Sequence, residues 1–258
     1  MGWQADQCDA RGGCLPDFLG IGVQKGGTTT LQRLLEQHPG VFLPASKEQH
    51  FFTLHYAEGE QWYRQRFIGA DPQQCCGEIT PYYLFHPEAP RRIRALVPGV
   101  RLIVLLRDPV ERALSQYFHA RRLGLEALPL GQALAMESQR LAGAELVLKA
   151  PAGRHRSHQE HSYLTRSRYE QQLQRYAAFF SAEQLLLLRS EDLFSRPAEL
   201  WARVLSFLEL EPLVLPAVPA ANAGEGEAAE VSSELRGWLR EQLAPTYQAM
   251  QHTYGLCW

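Results

Sequence analysis

Seven consecutive residues, Gln24-Lys25-Gly26-Gly27-Thr28-Thr29-Thr30, bring together a cation, two glycines and three hydroxyls. They follow an apolar run, Asp17 to Val23 (DFLGIGV), and precede Leu31, Leu34 and Leu35 at helical spacing. A strand that turns through glycines into a helix builds an anion site. The first helix amides have no intrahelical acceptor, and the aligned peptide dipoles favour negative charge there. Gly26 and Gly27 let the backbone approach a ligand, Thr28, Thr29 and Thr30 offer hydroxyls, and Lys25 adds charge, so all six are candidate phosphate-binding residues. An ordinary strand–helix turn also contains glycines; the lysine and the threonines tilt the reading to phosphate. A Walker A loop places its lysine after the last glycine and follows it with Ser or Thr for magnesium. Here Lys25 precedes the glycine pair, which points away from a magnesium nucleoside triphosphatase.

A second anion-binding pair lies further on. Arg101 to Leu106 (RLIVLL) reads as a buried strand, Arg107 ends it, Asp108-Pro109 turns the chain, and Ser115 falls within the helix that follows. The Arg107 fork and the Ser115 hydroxyl can grip one phosphate; the alternative for Arg107 is a salt bridge with Asp108 or Glu111. Proton transfer has candidates in Glu48 and His50, two residues apart and so on one face of an extended segment, or else two polar tips of an exposed loop. Phe51 and Phe52 read as core, with Phe52 also a candidate acceptor contact. His155, His158 and His161 recur every three residues, but HQEH is not HExxH, and no metal is expected. That stretch reads as a basic loop in which Arg154, Arg156 and Arg166 are candidates to meet an acceptor.

Four stretches in this order resemble the sulfotransferases that use 3′-phosphoadenosine 5′-phosphosulfate (PAPS), in particular the heparan-sulfate-type branch and its bacterial relatives. They are GVQKGGTTTLQRLLEQHP (Gly22 to Pro39), KEQHFF (Lys47 to Phe52), GEITPYYL (Gly77 to Leu84) and LLRDPVERALSQY (Leu105 to Tyr117), with a weaker echo in Thr165 to Phe180. The resemblance implies a P-loop-like α/β fold and in-line sulfuryl transfer from PAPS without a metal. It gives Lys25 the bridging oxygen, Glu48 the role of general base, and Arg107 and Ser115 the 3′-phosphate. His50 is a rival base, as histidine serves in the cytosolic branch, or a substrate contact. Glu78 and Arg166 are further candidate substrate contacts, and Asn222 and Gly224 are candidates to close over the nucleotide. Two departures stand out. Ile79 follows Glu78 where the family often has lysine, which weakens the case for a polysaccharide acceptor. The segment Ala220 to Glu230 (AANAGEGEAAE) is acidic where heparan-type members carry a basic, disulfide-braced loop. The acceptor stays open among small molecules, glycans and lipids. Two other readings are a P-loop nucleotide kinase or phosphotransferase and a nucleotide-binding module without chemistry.

The elements that must position these residues are legible as alternating strands and helices. Strands are expected at Asp17 to Val23, Val41 to Leu43, Cys75 to Ile79, Arg101 to Leu106 and Leu185 to Leu188. Helices are expected at Thr28 to Gln37, Gln61 to Phe67, Pro87 to Leu96, Val110 to Leu123, Leu130 to Leu141, Arg168 to Phe180, Pro197 to Leu208 and Ser233 to Tyr254, the last broken near Pro245. Gly124 to Ser162 reads as otherwise irregular, and Pro212 to Glu230 as loop. This alternation predicts an α/β fold with a central parallel sheet flanked by helices on both faces. With 258 residues and no evident linker, one domain is expected, residues 1–16 forming a loose N-terminal segment. The net charge of −2 gives no reason to expect a nucleic-acid partner. No apolar run approaches a membrane span, no signal core precedes the first strand, and Asp6 stands where a myristoylation motif wants Ser or Thr. Five cysteines, an odd number with no zinc spacing, suggest a reduced, cytoplasmic setting, although Cys8 and Cys14 could pair.

Overall fold

The computed structural model describes residues 13–216 and 228–258. Five strands form one all-parallel sheet: β1 (Phe18–Gly22), β2 (Val41–Phe42), β3 (Cys75–Ile79), β4 (Arg101–Leu106) and β5 (Leu185–Arg189), in the order β2-β3-β1-β4-β5. β1 and β3 are buried along their whole length and β4 beyond its first residue, which is why they read as continuous apolar runs. The chain winds left from β1 to β2 and β3, then crosses to the other side of β1 for β4. Ligands of open α/β sheets bind at such a reversal, outside the carboxyl ends of the strands.

Side chains alternate between the two sheet faces, and each face has its own core. Leu19, Ile21, Leu102, Val104 and Leu106 pack with Tyr83 of α3 (Tyr82–Phe85), Ile93 of α4 (Ala89–Leu96), and Leu173 and Tyr176 of α9 (Tyr169–Ala177). Phe18, Ile79, Ile103 and Leu105 pack with Leu31 and Leu34 of α1 (Thr28–Leu35) and with Trp201 and Val204 of α11 (Pro197–Phe207). Helices thus cover both faces, as the alternation predicts. A third cluster joins α5 (Pro109–Arg122) and α6 (Leu130–Leu141) to α12 (Ser233–Gln242).

Several expected boundaries change. The stretch 124–162 holds two short helices besides α6: α7 (Ala144–Leu148) and α8 (Arg156–Glu160). The helix expected at Gln61 to Phe67 is α2 (Gly59–Arg64) with a 3₁₀ turn after it. The terminal helix breaks where expected, Pro245 opening α13 (Ala244–Tyr254); α10 (Asp192–Ser195) follows β5 directly. Residues 13–16 are not loose: all four are buried, and Cys14 and Leu15 belong to the core under β1. Cys14 is disulfide-bonded, its partner lying outside the described residues, whereas Cys75, Cys76 and Cys257 are free. The sequence favours a reduced setting but leaves a Cys8–Cys14 pair open, and Cys8 lies outside the described residues. No helix among the described residues is long and apolar enough to cross a membrane.

Candidate active site

The loop after β1 is tied to β4. Val23 N donates to Leu105 O at 3.0 Å, and Gly26 N donates back to Val23 O at 3.0 Å. A Cβ at Gly26 would lie 2.4 Å from the Leu105 carbonyl oxygen, so only glycine fits there. Gly27, at φ 88°, opens α1 with no side chain capping its first turn. Lys25 also adopts a left-handed φ of 72°, a conformation that costs a non-glycine residue energy and must be held by its surroundings.

The charges that act on the Lys25 ammonium are all positive. Burial first, then Arg122, Arg107 and Lys47, hold it below the ordinary lysine range. His119 is depressed by burial and then by Lys25 and Arg122. Ser115, His119 and Arg122 recur at helical spacing, so one face of α5 looks onto the loop. Arg107 is not engaged by either acid proposed for it. Its guanidinium donates to Lys25 O at 3.4 Å, while Asp108 caps α5 through Glu111 N at 2.9 Å and Glu111 pairs with Arg236. Cations crowded this closely repel one another, and a polyanion is the ligand class that reverses that repulsion.

Glu48 and His50 meet, though not as an extended segment would bring them together. Both have left-handed backbones, φ 59° and 52°, and the turn sets His50 Nε2 3.3 Å from Glu48 Oε2. Lys47 donates to Thr29 Oγ1 at 2.6 Å and lies 3.6 Å from Glu48 Oε1. Burial would raise the Glu48 carboxyl, but the His50 hydrogen bond and the Lys47 charge outweigh it and hold it below the ordinary carboxylate range. Lys47 is the site residue that spacing alone did not single out, although it opens the KEQHFF stretch.

Three candidate substrate contacts are corrected by their burial. Phe52 is 0% exposed and packs edge-on against Tyr63 and Tyr83, so it offers no surface to an acceptor. Glu78 is 2% exposed, and its carboxylate is fully engaged. Oε1 accepts from Tyr63 at 2.8 Å and Tyr83 at 2.6 Å; Oε2 accepts from Thr80 at 2.6 Å and Gln49 N at 3.3 Å. Burial raises its pKa despite those donors. Thr80 in turn accepts from His50 N at 3.3 Å. Glu78 therefore anchors the backbone that carries the Glu48–His50 pair. Arg166 is 3% exposed and donates to the Gln24 side chain and to the carbonyls of His158 and Gln159 at 2.9 and 2.8 Å; burial pushes it down to about 9. It braces the phosphate loop from behind. Asn222 and Gly224 lie outside the described residues.

The three histidines serve separate purposes. His155 caps α8, buried His158 bonds to the Tyr82 hydroxyl at 2.8 Å, and His161 bonds to Leu125 O at 3.0 Å. Among the described residues no group of three or more His, Cys, Asp or Glu could hold a metal ion.

Comparison with known proteins shows what the chain is similar to. A family model described as "Sulfotransferase domain" matches residues 15–218. Human heparan sulfate glucosamine 3-O-sulfotransferase 6 is 35% identical over 212 residues, 82% of this chain and 57% of that protein. The membrane-associated sulfotransferase kil1 of Dictyostelium discoideum is 42% identical over 107 residues, 40% of this chain and 23% of that protein. At 23–57% coverage, the chain spans about half the length, or less, of the curated relatives it matches. The crystal structure of a sulfotransferase from Alicyclobacillus acidocaldarius superposes with a TM-score of 0.77 at 26% identity, covering 92% of this chain and 95% of that one. A mouse sulfotransferase complexed with PAP shares the fold, with a TM-score of 0.56 at 14% identity, covering 97% of this chain and 88% of that one.

Proposed function

The chain belongs to the sulfotransferase family, and from that premise we propose that it moves a sulfuryl group from PAPS to a hydroxyl or amine of an acceptor. One observation carries the reading. Lys47 touches Thr29 of the donor loop with its ammonium and lies 3.6 Å from Glu48, so the base candidate stands one side chain from the anion site.

The division of labour follows from position. Lys25 and the opening turn of α1 hold the 5′ end of the donor; Arg107 and Ser115 hold the 3′-phosphate. As the acceptor atom bonds to sulfur, the bond from sulfur to the bridging oxygen breaks, and Lys25 stabilises the charge that collects on that oxygen. Glu48 takes the acceptor proton, oriented by His50 and Lys47. Positioning and electrostatics do this work, as in phosphoryl transfer. Similarity to heparan sulfate glucosamine 3-O-sulfotransferases supports a glycan acceptor, whereas Ile79 after Glu78 speaks for a different one.

Calorimetry tests the donor. The protein should bind 3′,5′-diphosphoadenosine at least tenfold (about 1.4 kcal/mol) more tightly than ATP with magnesium. A preference for ATP would overturn the reading.

A further inference from the structure

The turn that carries Arg107 is held by side chains from other elements. Tyr169 donates its hydroxyl to Arg107 O at 2.9 Å. Glu191, just beyond β5, accepts from Asp108 N with Oε1 at 2.9 Å. Tyr247 of α13 donates to Asp108 Oδ2 at 2.8 Å. These bonds fix the peptide on both sides of the Arg107–Asp108 link.

The last residues close the arrangement. Gly255, at φ 66°, ends α13, and Leu256 N returns to Met250 O at 3.0 Å, which folds the tail back. Trp258 then donates its indole N–H to Glu191 Oε2 at 2.9 Å. Its ring packs against Tyr169 and Tyr247, at centroid distances of 6.3 and 6.4 Å. Arg240 of α12 donates to Trp258 O at 3.2 Å and stacks over Tyr247 at 4.3 Å. One indole therefore touches all three side chains that hold the turn.

We infer that Trp258, acting through Glu191, is a positioning residue that sets the Arg107 guanidinium for the donor's 3′-phosphate. The inference rests on the PAPS reading of the site. Glu191 Oε1 accepts from Asp108 N, and Oε2 accepts from the indole at 2.9 Å with Arg189 Nε farther off at 3.9 Å. Losing the indole N–H leaves Oε2 only the longer Arg189 contact, so the carboxylate is less firmly held and the Asp108 amide loses its fixed acceptor. The phosphate then meets an arginine whose backbone wanders. The 5′ end of the donor is held by the loop after β1, which is tied to β4 through Val23 N and Leu105 O independently of the Arg107 contact to Lys25 O.

Two nucleotides separate the two ends: 3′,5′-diphosphoadenosine, and adenosine 5′-monophosphate, which lacks the 3′-phosphate. Trp258→Phe keeps the ring and removes the donor. It should weaken diphosphoadenosine by about five- to tenfold, within the range of one intramolecular hydrogen bond, and leave the monophosphate unchanged. Glu191→Gln should do the same through the other partner, and the double variant should add little to either single change. An unchanged diphosphoadenosine affinity in both variants overturns the inference, and so does an equal loss for both nucleotides, which would mean general loosening. A wild-type protein that prefers neither nucleotide overturns the PAPS reading itself, and this inference with it.

Discussion

Glu48 and Lys25 are both held below their ordinary ranges, which favours the charged carboxylate and disfavours the charged ammonium. Of the cations that depress Lys25, Lys47 also favours the ionised form of Glu48, so the proposed base is ready while the lysine stays short of an anion. Glu48→Gln should lower kcat by roughly 10²–10⁴ and leave diphosphoadenosine affinity unchanged. Rapid-mix turnover beside calorimetry checks the split, and a near-normal rate would move the base to His50. His50→Ala should cost about tenfold, the rate equivalent of one hydrogen bond. The acid limb of kcat/KM follows from the sign of the Glu48 shift. A depressed carboxyl stays ionised as pH falls, so the limb should lie below 4.5, the ordinary value for glutamate. Because His50 is the largest of the influences that lower it, His50→Ala should move the limb upward.

At the scale of elements, the site depends on two short connections held by unlike means. The loop after β1 is held by close packing on β4. Gly26→Ala forces a Cβ against a main-chain carbonyl that has no rotamer to yield, and it should cost roughly 1–3 kcal/mol of stability and most of the donor affinity. Thermal melts with calorimetry read both. The 47–50 turn is held by a buried carboxylate. Glu78→Gln sets an amide N–H₂ among donors, at a cost of about 1–3 kcal/mol. It should slow turnover while sparing diphosphoadenosine affinity, because the donor clamp hangs from β1 and β4 rather than from this anchor. Equal loss of both would mean that the two connections move as one.

For the whole molecule, the parallel sheet gathers the carboxyl ends of all five strands at one edge, where the donor loop, Thr80, Arg107 and Glu191 follow β1, β3, β4 and β5. The opposite edge is free of this chemistry and bears a titration of its own. Asp17 precedes β1 and accepts from Cys76 N at 2.8 Å, yet burial raises its carboxyl to about 6 against the 3.8 of the free side chain. The folded state therefore binds an extra proton between those values, and stability falls as pH rises through that window. Asp17→Asn keeps an acceptor for Cys76 N and does not titrate. Its stability relative to the wild type should rise by up to about 2 kcal/mol between pH 4 and pH 6 and stay level above. Denaturant unfolding at four pH values measures it, and a flat difference would show that the carboxyl titrates normally.

The sequence by itself determined what neighbouring residues decide. The glycine–lysine–threonine turn and the alternation of strands with helices are local patterns, and the structure keeps them because each element forms within a few residues. Even the break at Pro245 is a local property of a residue that cannot continue a helix. Tertiary structure alone decided the partners. Whether Glu78 and Arg166 face an acceptor or serve as internal anchors depends on Tyr63, Tyr83, His158 and Gln24, residues brought up by the strand order β2-β3-β1-β4-β5. The same order sets Lys47 against Thr29 and Trp258 against Glu191. A side chain's type limits the bonds it can make; which of them it makes is set by segments distant in sequence and adjacent in the fold.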